Sequence, residues 1–108
     1  EALLVNARML KVLQKQGDDG ADMRTVTHEV RFPTRFGRDA FRRIVEKDYM
    51  VEKAPDTADA DGRWVIEFSR MQAPSMLHVA LTPLMQETRK LFGHYEGWTA
   101  PVVPRKAD

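Results

Sequence analysis

The 108-residue chain contains no cysteine, and this absence excludes several kinds of chemistry. No disulfide can form, no thiolate can act as a nucleophile, and no zinc site can use cysteine ligands. The absence fits the reducing cytoplasm, where we expect the protein to be found. No run of about 18 apolar residues is present either, so no transmembrane helix is predicted. The opening EALLVNARMLKVL carries charges inside its apolar pattern, which favours an amphipathic helix over a targeting segment.

An excess of charge of one sign is also lacking. The sequence has 17 basic and 16 acidic residues, giving a formal net charge of +1. This balance argues against bulk DNA or an anionic membrane as a partner. With 43% hydrophobic residues, the chain is predicted to fold as a single domain over residues 1–108.

The residues that usually carry catalysis or metal binding lack the necessary spacing. His28, His78 and His94 form no ligand motif, and GDDGAD (17–22) lacks the alternating carboxylates of a calcium loop. No serine has a nucleophile motif, and no glycine-rich phosphate loop is present. The sequence therefore predicts a protein that is not an enzyme and uses no metal or cofactor. His28 lies on the apolar face of a strand, where a hydrogen-bonded structural histidine is the favoured interpretation.

Hydrophobic periodicity divides the chain into alternating helices and strands. The predicted elements are helix 2–16, strand 24–32, a helix capped by Thr34, strands 49–54 and 63–71, helix 75–92 and a last strand at WTAPVV (98–103). We expect the third helix to be interrupted or kinked near 82–83, where Thr82 could cap a new helix with Pro83 in its first turn. Gly93 is expected to end it. Without the first helix the order is βαββαβ, which predicts an α+β, ferredoxin-like sandwich: an antiparallel sheet backed by helices, with an extra N-terminal helix.

Arginines form a stripe at helical spacing on the second helix. Arg35, Arg38, Arg42 and Arg43 make this candidate basic patch. The patch is interpreted as the solvated side of an amphipathic helix, with docking of an acidic partner or of RNA phosphates as the alternative. The sheet aromatics lack the motif of an RNA-binding sheet, so RNA is not the favoured partner.

Two large aromatic residues flank a glycine near the end of the sequence, in HYEGWTAP (94–101). Gly97 permits a sharp turn, and Tyr95 and Trp98 each combine an apolar ring with a polar atom. The pair could seal the sheet edge or form part of a contact patch. We interpret the stretch as a corner between the last helix and the last strand.

Three stretches resemble the RraB family of ribonuclease E inhibitors. They are GDDGADMRTVTHEVRF, DGRWVIEFSR and HYEGW after a helix that ends in LFG, and the resemblance spans about residues 7–103. The family carries a terminal YDGW motif, for which this chain has Tyr95, Glu96, Gly97 and Trp98.

The resemblance implies a ferredoxin-like fold and a non-catalytic bacterial regulator that acts by protein–protein contact. Its first candidate partner is ribonuclease E, whose restraint would alter RNA processing and decay. The family-defining positions, and hence the candidate partner contacts, are Asp18, Asp19, Tyr95, Glu96, Gly97 and Trp98. The alternative function is a small RNA- or ligand-binding module that uses the basic helix face.

Overall fold

A computed structural model describes the backbone of residues 2–103 and the side chains of residues 8–103. Its elements are α1 (Ala2–Lys15), β1 (Arg24–Phe32), α2 (Arg35–Val45), β2 (Met50–Lys53), β3 (Trp64–Gln72), α3 (Leu77–Lys90) and β4 (His94–Thr99). The first helix was predicted from a stripe that includes Leu3 and Ala7, whose side chains lie outside the described residues. None of the helices described here is long and apolar enough to cross a membrane.

The four strands form one antiparallel sheet with the order β2-β3-β1-β4. The two central strands pair over their whole length, from Arg24 opposite Gln72 to Phe32 opposite Trp64. The short strand β2 pairs with β3 only as far as Ser69, opposite Met50. The prediction of an α+β protein built on an antiparallel sheet is confirmed.

The side chains of strand β1 alternate between the two faces of the sheet. Its alternate residues Val26, His28, Val30 and Phe32 are fully buried, as the period-two pattern predicted. They join Ile66 and Phe68 of β3 with side chains from all three helices in one core. Thr27, Glu29 and Arg31, which alternate with them along β1, lie on the opposite face of the sheet, which we call the open face.

Helix α2 begins where the sequence predicted it. Thr34 is the N-cap, and its Oγ1 accepts a hydrogen bond of 3.0 Å from the backbone N–H of Gly37. Phe41 and Val45 enter the core, whereas Ile44 is 40% exposed.

Helix α3 is continuous, so an interruption near 82–83 is wrong, whereas the kink that was the other predicted form stays a prediction. A short 3₁₀-helix (Pro74–Met76) leads into it, and Pro83 lies inside its 14 residues. Proline at that position removes one backbone hydrogen bond. Burial of Leu77, Leu81 and Leu84 against the core offsets the loss, so Thr82 caps no new helix.

The end of α3 uses Phe92 where the sequence predicted Gly93. Phe92 has the left-handed backbone (φ 60°), and its N–H donates to the carbonyl of Arg89. The N–H of Gly93 donates to the carbonyl of Thr88, completing a Schellman motif. Gly93 is instead required for close packing, because a Cβ there would lie 2.5 Å from the Phe32 ring.

A buried ion pair fixes the loop between α1 and β1. Asp18 and Arg24 are 1% and 4% exposed, and both carboxylate oxygens of Asp18 bind the Arg24 guanidinium. The backbone N–H groups of Gly20 and Val103 also donate to Asp18, and Arg24 donates to the carbonyl of Pro101. These bonds hold the pKa of Asp18 well below its usual range, the hydrogen bond from Arg24 contributing most. The pair thereby joins the loop to the segment after β4.

Replacing Asp18 by alanine should strongly destabilise the fold. The change leaves the Arg24 guanidinium buried without its carboxylate, which costs about 3 kcal/mol or more. Chemical denaturation would measure the loss. Asp22→Ala is the matched control, because Asp22 is exposed in the same loop and an alanine there keeps the backbone carbonyl that accepts from Arg24; it should cost less than about 1 kcal/mol. Equal losses for the two variants would contradict this role for the pair.

Candidate functional site

The family-like motif YEGW lies inside β4 and not before it. The strand runs from His94 to Thr99, so the predicted start at Trp98 and the predicted corner at Gly97 are wrong. Pairing of β4 with β1 begins at His94, before the predicted start at Trp98, because the chain stays extended through the motif. The pairing ends before Pro101, which has no N–H to donate.

The register of β4 against β1 shifts by one residue within the motif. Tyr95 lies opposite Val30 and Gly97 opposite Glu29, so Glu96 is an extra residue without a partner in β1. This arrangement is a β-bulge. Gly97 has φ 137°, a conformation that residues with a Cβ rarely adopt, so glycine permits the bulge.

The bulge places both large aromatic residues on the core face. Residues three positions apart in a regular strand point to opposite faces. The extra residue reverses this parity, so that Tyr95 and Trp98 are 5% and 3% exposed. The interpretation of these rings as sealing groups is therefore favoured over an exposed contact patch.

Tyr95 is bound to a buried polar chain that crosses the core. His28 Nδ1 lies 2.8 Å from Tyr95 Oη, and His28 Nε2 lies 2.8 Å from Gln72 Oε1. The amide oxygen of Gln72 can only accept, so Nε2 carries the proton and Nδ1 accepts from the Tyr95 hydroxyl. Gln72 Nε2 then donates to Tyr49 Oη at 3.4 Å. His28 was expected to be a hydrogen-bonded structural histidine, and its partners are Tyr95 and Gln72.

Burial keeps the chain of hydrogen bonds uncharged. It lowers the pKa of His28 from 6.5 to about 4, against an opposing contribution from the hydrogen bond to Gln72. Burial also raises the pKa of Tyr95 far above its usual range and raises that of Tyr49. Both nitrogens of His28 are used within the fold, which leaves it poorly suited to metal binding or proton transfer.

Trp98 keeps one polar atom without a partner. Its indole Nε1 is buried and has no hydrogen-bond partner among residues 8–103. Trp98 borders a cavity of about 280 Å³ that is also lined by Thr27, Gly97 and Thr99. Carboxylates line the same cavity.

Three glutamates form a row across the open face, which we call the carboxylate row: Glu67 on β3, Glu29 on β1 and Glu96 on β4. Glu29 and Glu67 are directly opposite each other in the register, and the bulge sets Glu96 beside Glu29. Like charges directly opposite one another destabilise a sheet.

Each glutamate of the row lies within 4 Å of a basic side chain. Arg31 binds Glu29 at 3.1 Å and Glu96 at 3.5 Å, and Lys53 reaches Glu67 at 3.7 Å. Arg63 also approaches Glu96, at 3.9 Å. The three carboxylates keep roughly a third of their side-chain surface exposed, so they are accessible from solvent.

The predicted basic patch is not a continuous surface. Arg38 is 1% exposed, so its assignment to the patch is wrong: it donates to the carbonyls of Pro55 and Val65, both at 2.9 Å. Arg35 and Arg42 are exposed but face acids one turn later, Asp39 at 3.5 Å and Glu46 at 3.7 Å. Arg43 is exposed as well.

The predicted contact residues therefore separate into two groups. Asp18, Tyr95 and Trp98 are buried, and Gly97 shapes the backbone. Asp19 and Glu96 remain at the surface, in the loop after α1 and on the open face. Sequence reasoning missed Glu29 and Glu67, although both belong to the polar positions of alternating strands. Among the residues whose side chains are described, no three histidine or carboxylate side chains, the carboxylate row included, are arranged so that they could hold a metal ion.

The stability of the fold should fall between pH 6.5 and 4 because of His28. Its pKa is lower in the folded protein, so protonation favours the unfolded chain; the contribution is complete above pH 6.5 and is lost as the pH falls. The expected loss is about 3 kcal/mol in urea denaturation across this range. His28→Gln should flatten the dependence. An unchanged slope in His28→Gln would refute this assignment.

Comparison with known proteins supports one family. No curated protein matches the chain. A family model described as regulator of ribonuclease activity B, or RraB, matches residues 5–99, which include most of α1, the whole sheet and the YEGW bulge. Because this match covers most of the sequence, the chain belongs to the RraB family of regulators of ribonuclease activity.

Proposed function

We propose that the protein is a non-catalytic bacterial regulator that binds a ribonuclease in the cytoplasm, with ribonuclease E as the first candidate. Family membership supports a regulatory role in ribonuclease activity. The contact is assigned to the open face of the sheet, and its centre is the carboxylate row of Glu29, Glu67 and Glu96.

The placement of these glutamates is the observation that carries the proposal. Glu29 and Glu67 face each other across two central strands, where opposite or uncharged pairs would stabilise the sheet better. The bulge adds Glu96, the exposed side chain of the family-like motif. An arrangement that costs stability and lies at the surface fits selection for binding.

The expected partner surface is basic. A lysine or arginine from the partner would relieve the repulsion within the row and bind two carboxylates at once. The neighbouring Arg31 is shared among Glu29, Glu96 and Asp59, so Asp59 can retain it when an added cation binds the row. Charges of this kind chiefly raise the association rate and fix orientation.

RNA binding is the weaker candidate function. Phosphates would be repelled by the carboxylate row, and the sheet aromatics Phe32 and Phe68 lie in the core rather than on the open face. On α2 the burial of Arg38 and the acids beside Arg35 and Arg42 remove most of the free positive charge. No observation specifically favours this alternative.

We also infer a ferredoxin-like topology and a single domain over residues 1–108. The strand order β2-β3-β1-β4 with two helical crossovers supports this inference, since each helix joins two strands that have a third strand between them. Helix α1 is then an addition that covers the core with Leu13.

A binding experiment with purified ribonuclease E tests the proposal. The triple variant Glu29→Gln/Glu67→Gln/Glu96→Gln should lose affinity at least about tenfold in calorimetric titration, or about 1.4 kcal/mol. It should also restrain RNA cleavage less than the parent protein does. The variant loses three carboxylates that face the partner, while the residues of the core are unchanged.

The matched control removes three carboxylates elsewhere. Glu46→Gln/Asp56→Asn/Glu87→Gln changes the net charge equally at positions away from the carboxylate row. This control should bind and inhibit like the parent. Failure of the parent to bind would reject ribonuclease E as the partner, and equal binding by both variants would reject the carboxylate row as the site.

A further inference from the structure

A second surface stands apart from the carboxylate row. A groove of about 630 Å³ lies between the end of β3 and the first half of α3. Its walls are mainly apolar, with Met23, Met71, Met76 and Val79 each more than half exposed. We call it the methionine groove. Exposed apolar residues are usually scattered, and their concentration in one groove marks a binding surface.

Methionine suits such a surface because its side chain is flexible and polarisable. Three of the chain's six methionines lie here, at positions 23, 71 and 76. Unbranched thioethers can repack around different apolar side chains. The groove can therefore accept apolar side chains of different shapes.

The groove borders a stretch of sheet edge that no strand within residues 2–103 covers. Strand β2 pairs with β3 only to Ser69, so within these residues positions 70–72 of β3 have β1 on one side and no strand on the other. Edges of this kind bind extended peptides by adding a strand. The four consecutive residues 70–73 all line the groove, as expected where an edge forms its wall.

Arg70 supplies a positive charge at the rim. It is exposed, and its guanidinium lies over the Tyr49 ring, 4.2 Å from the centroid. Among residues 8–103 no carboxylate forms an ion pair with it, whereas Arg35, Arg42 and Arg63 all have acidic partners. An arginine held by an aromatic ring and lacking a carboxylate is suited to an acidic ligand.

We propose that the methionine groove binds an extended acidic-apolar peptide segment of a protein partner. The peptide adds to the edge of β3 at residues 70–72, places apolar side chains among the methionines and sets a carboxylate on Arg70. This inference goes beyond the proposed function and does not require the partner to be a ribonuclease.

Methyl NMR of labelled methionines in the whole protein gives the direct test. The probe is an acetylated eight-residue peptide of alternating valine and glutamate, and the matched control peptide has lysine in place of glutamate. The glutamate peptide should shift the methyl resonances of Met23, Met71 and Met76, saturating below about 1 mM. Met50, which is 68% exposed outside the groove, should not shift.

Two charge reversals separate the groove from general charge effects. Arg70→Glu should weaken binding of the glutamate peptide about tenfold, while Arg43→Glu on the exposed side of α2 should leave it unchanged. Both sites are at the surface, and retained methyl dispersion would verify folding.

Three results would overturn the proposal. They are absence of shifts at Met23, Met71 and Met76, equal binding of the lysine peptide, and shifts that depend on protein concentration without peptide. The last would show that a second copy of the chain occupies the groove. Because no ribonuclease is present, these outcomes are independent of the test of the carboxylate row.

Discussion

The β-bulge at Glu96 and Gly97 is the constraint on which the rest of the site depends. One extra residue in β4 changes which face each following side chain enters. Tyr95 and Trp98 both reach the core, and Tyr95 can then hydrogen bond to His28 at its centre. The same extra residue leaves Glu96 on the open face beside Glu29. A single backbone irregularity thus links the buried polar chain to the exposed carboxylates.

Most of the family-like motif YEGW therefore serves the fold. Tyr95, Gly97 and Trp98 determine how β4 pairs and packs, and Asp18 joins the loop after α1 to the segment after β4. Few substitutes would satisfy a buried hydrogen bond or a positive φ at these positions. The surface that contacts a partner is instead expected among exposed residues whose placement costs stability, such as Glu29 and Glu67.

Much of the architecture could be predicted because the hydrophobic periods were clear. Strand β1 was predicted with its bounds, and the cap at Thr34 was recognised from its side chain. Long-range contacts explain the failures: core burial keeps α3 continuous through Pro83, and two backbone carbonyls draw Arg38 inside. The bulge was missed because pattern reading assumes strict alternation. The row of glutamates depends on strand register, which links residues far apart in sequence.

Side-chain proximity in solution tests the bulge most directly. In nuclear Overhauser spectra, the rings of both Tyr95 and Trp98 should show contacts to His28 in the core. His28 is the hydrogen-bond partner of Tyr95 and the cross-strand neighbour of Trp98. A Trp64→Phe background would isolate the fluorescence of Trp98, which should resist quenching by acrylamide. Core contacts for only one of the two rings, with the other exposed to quencher or solvent, would show a regular strand and contradict the account.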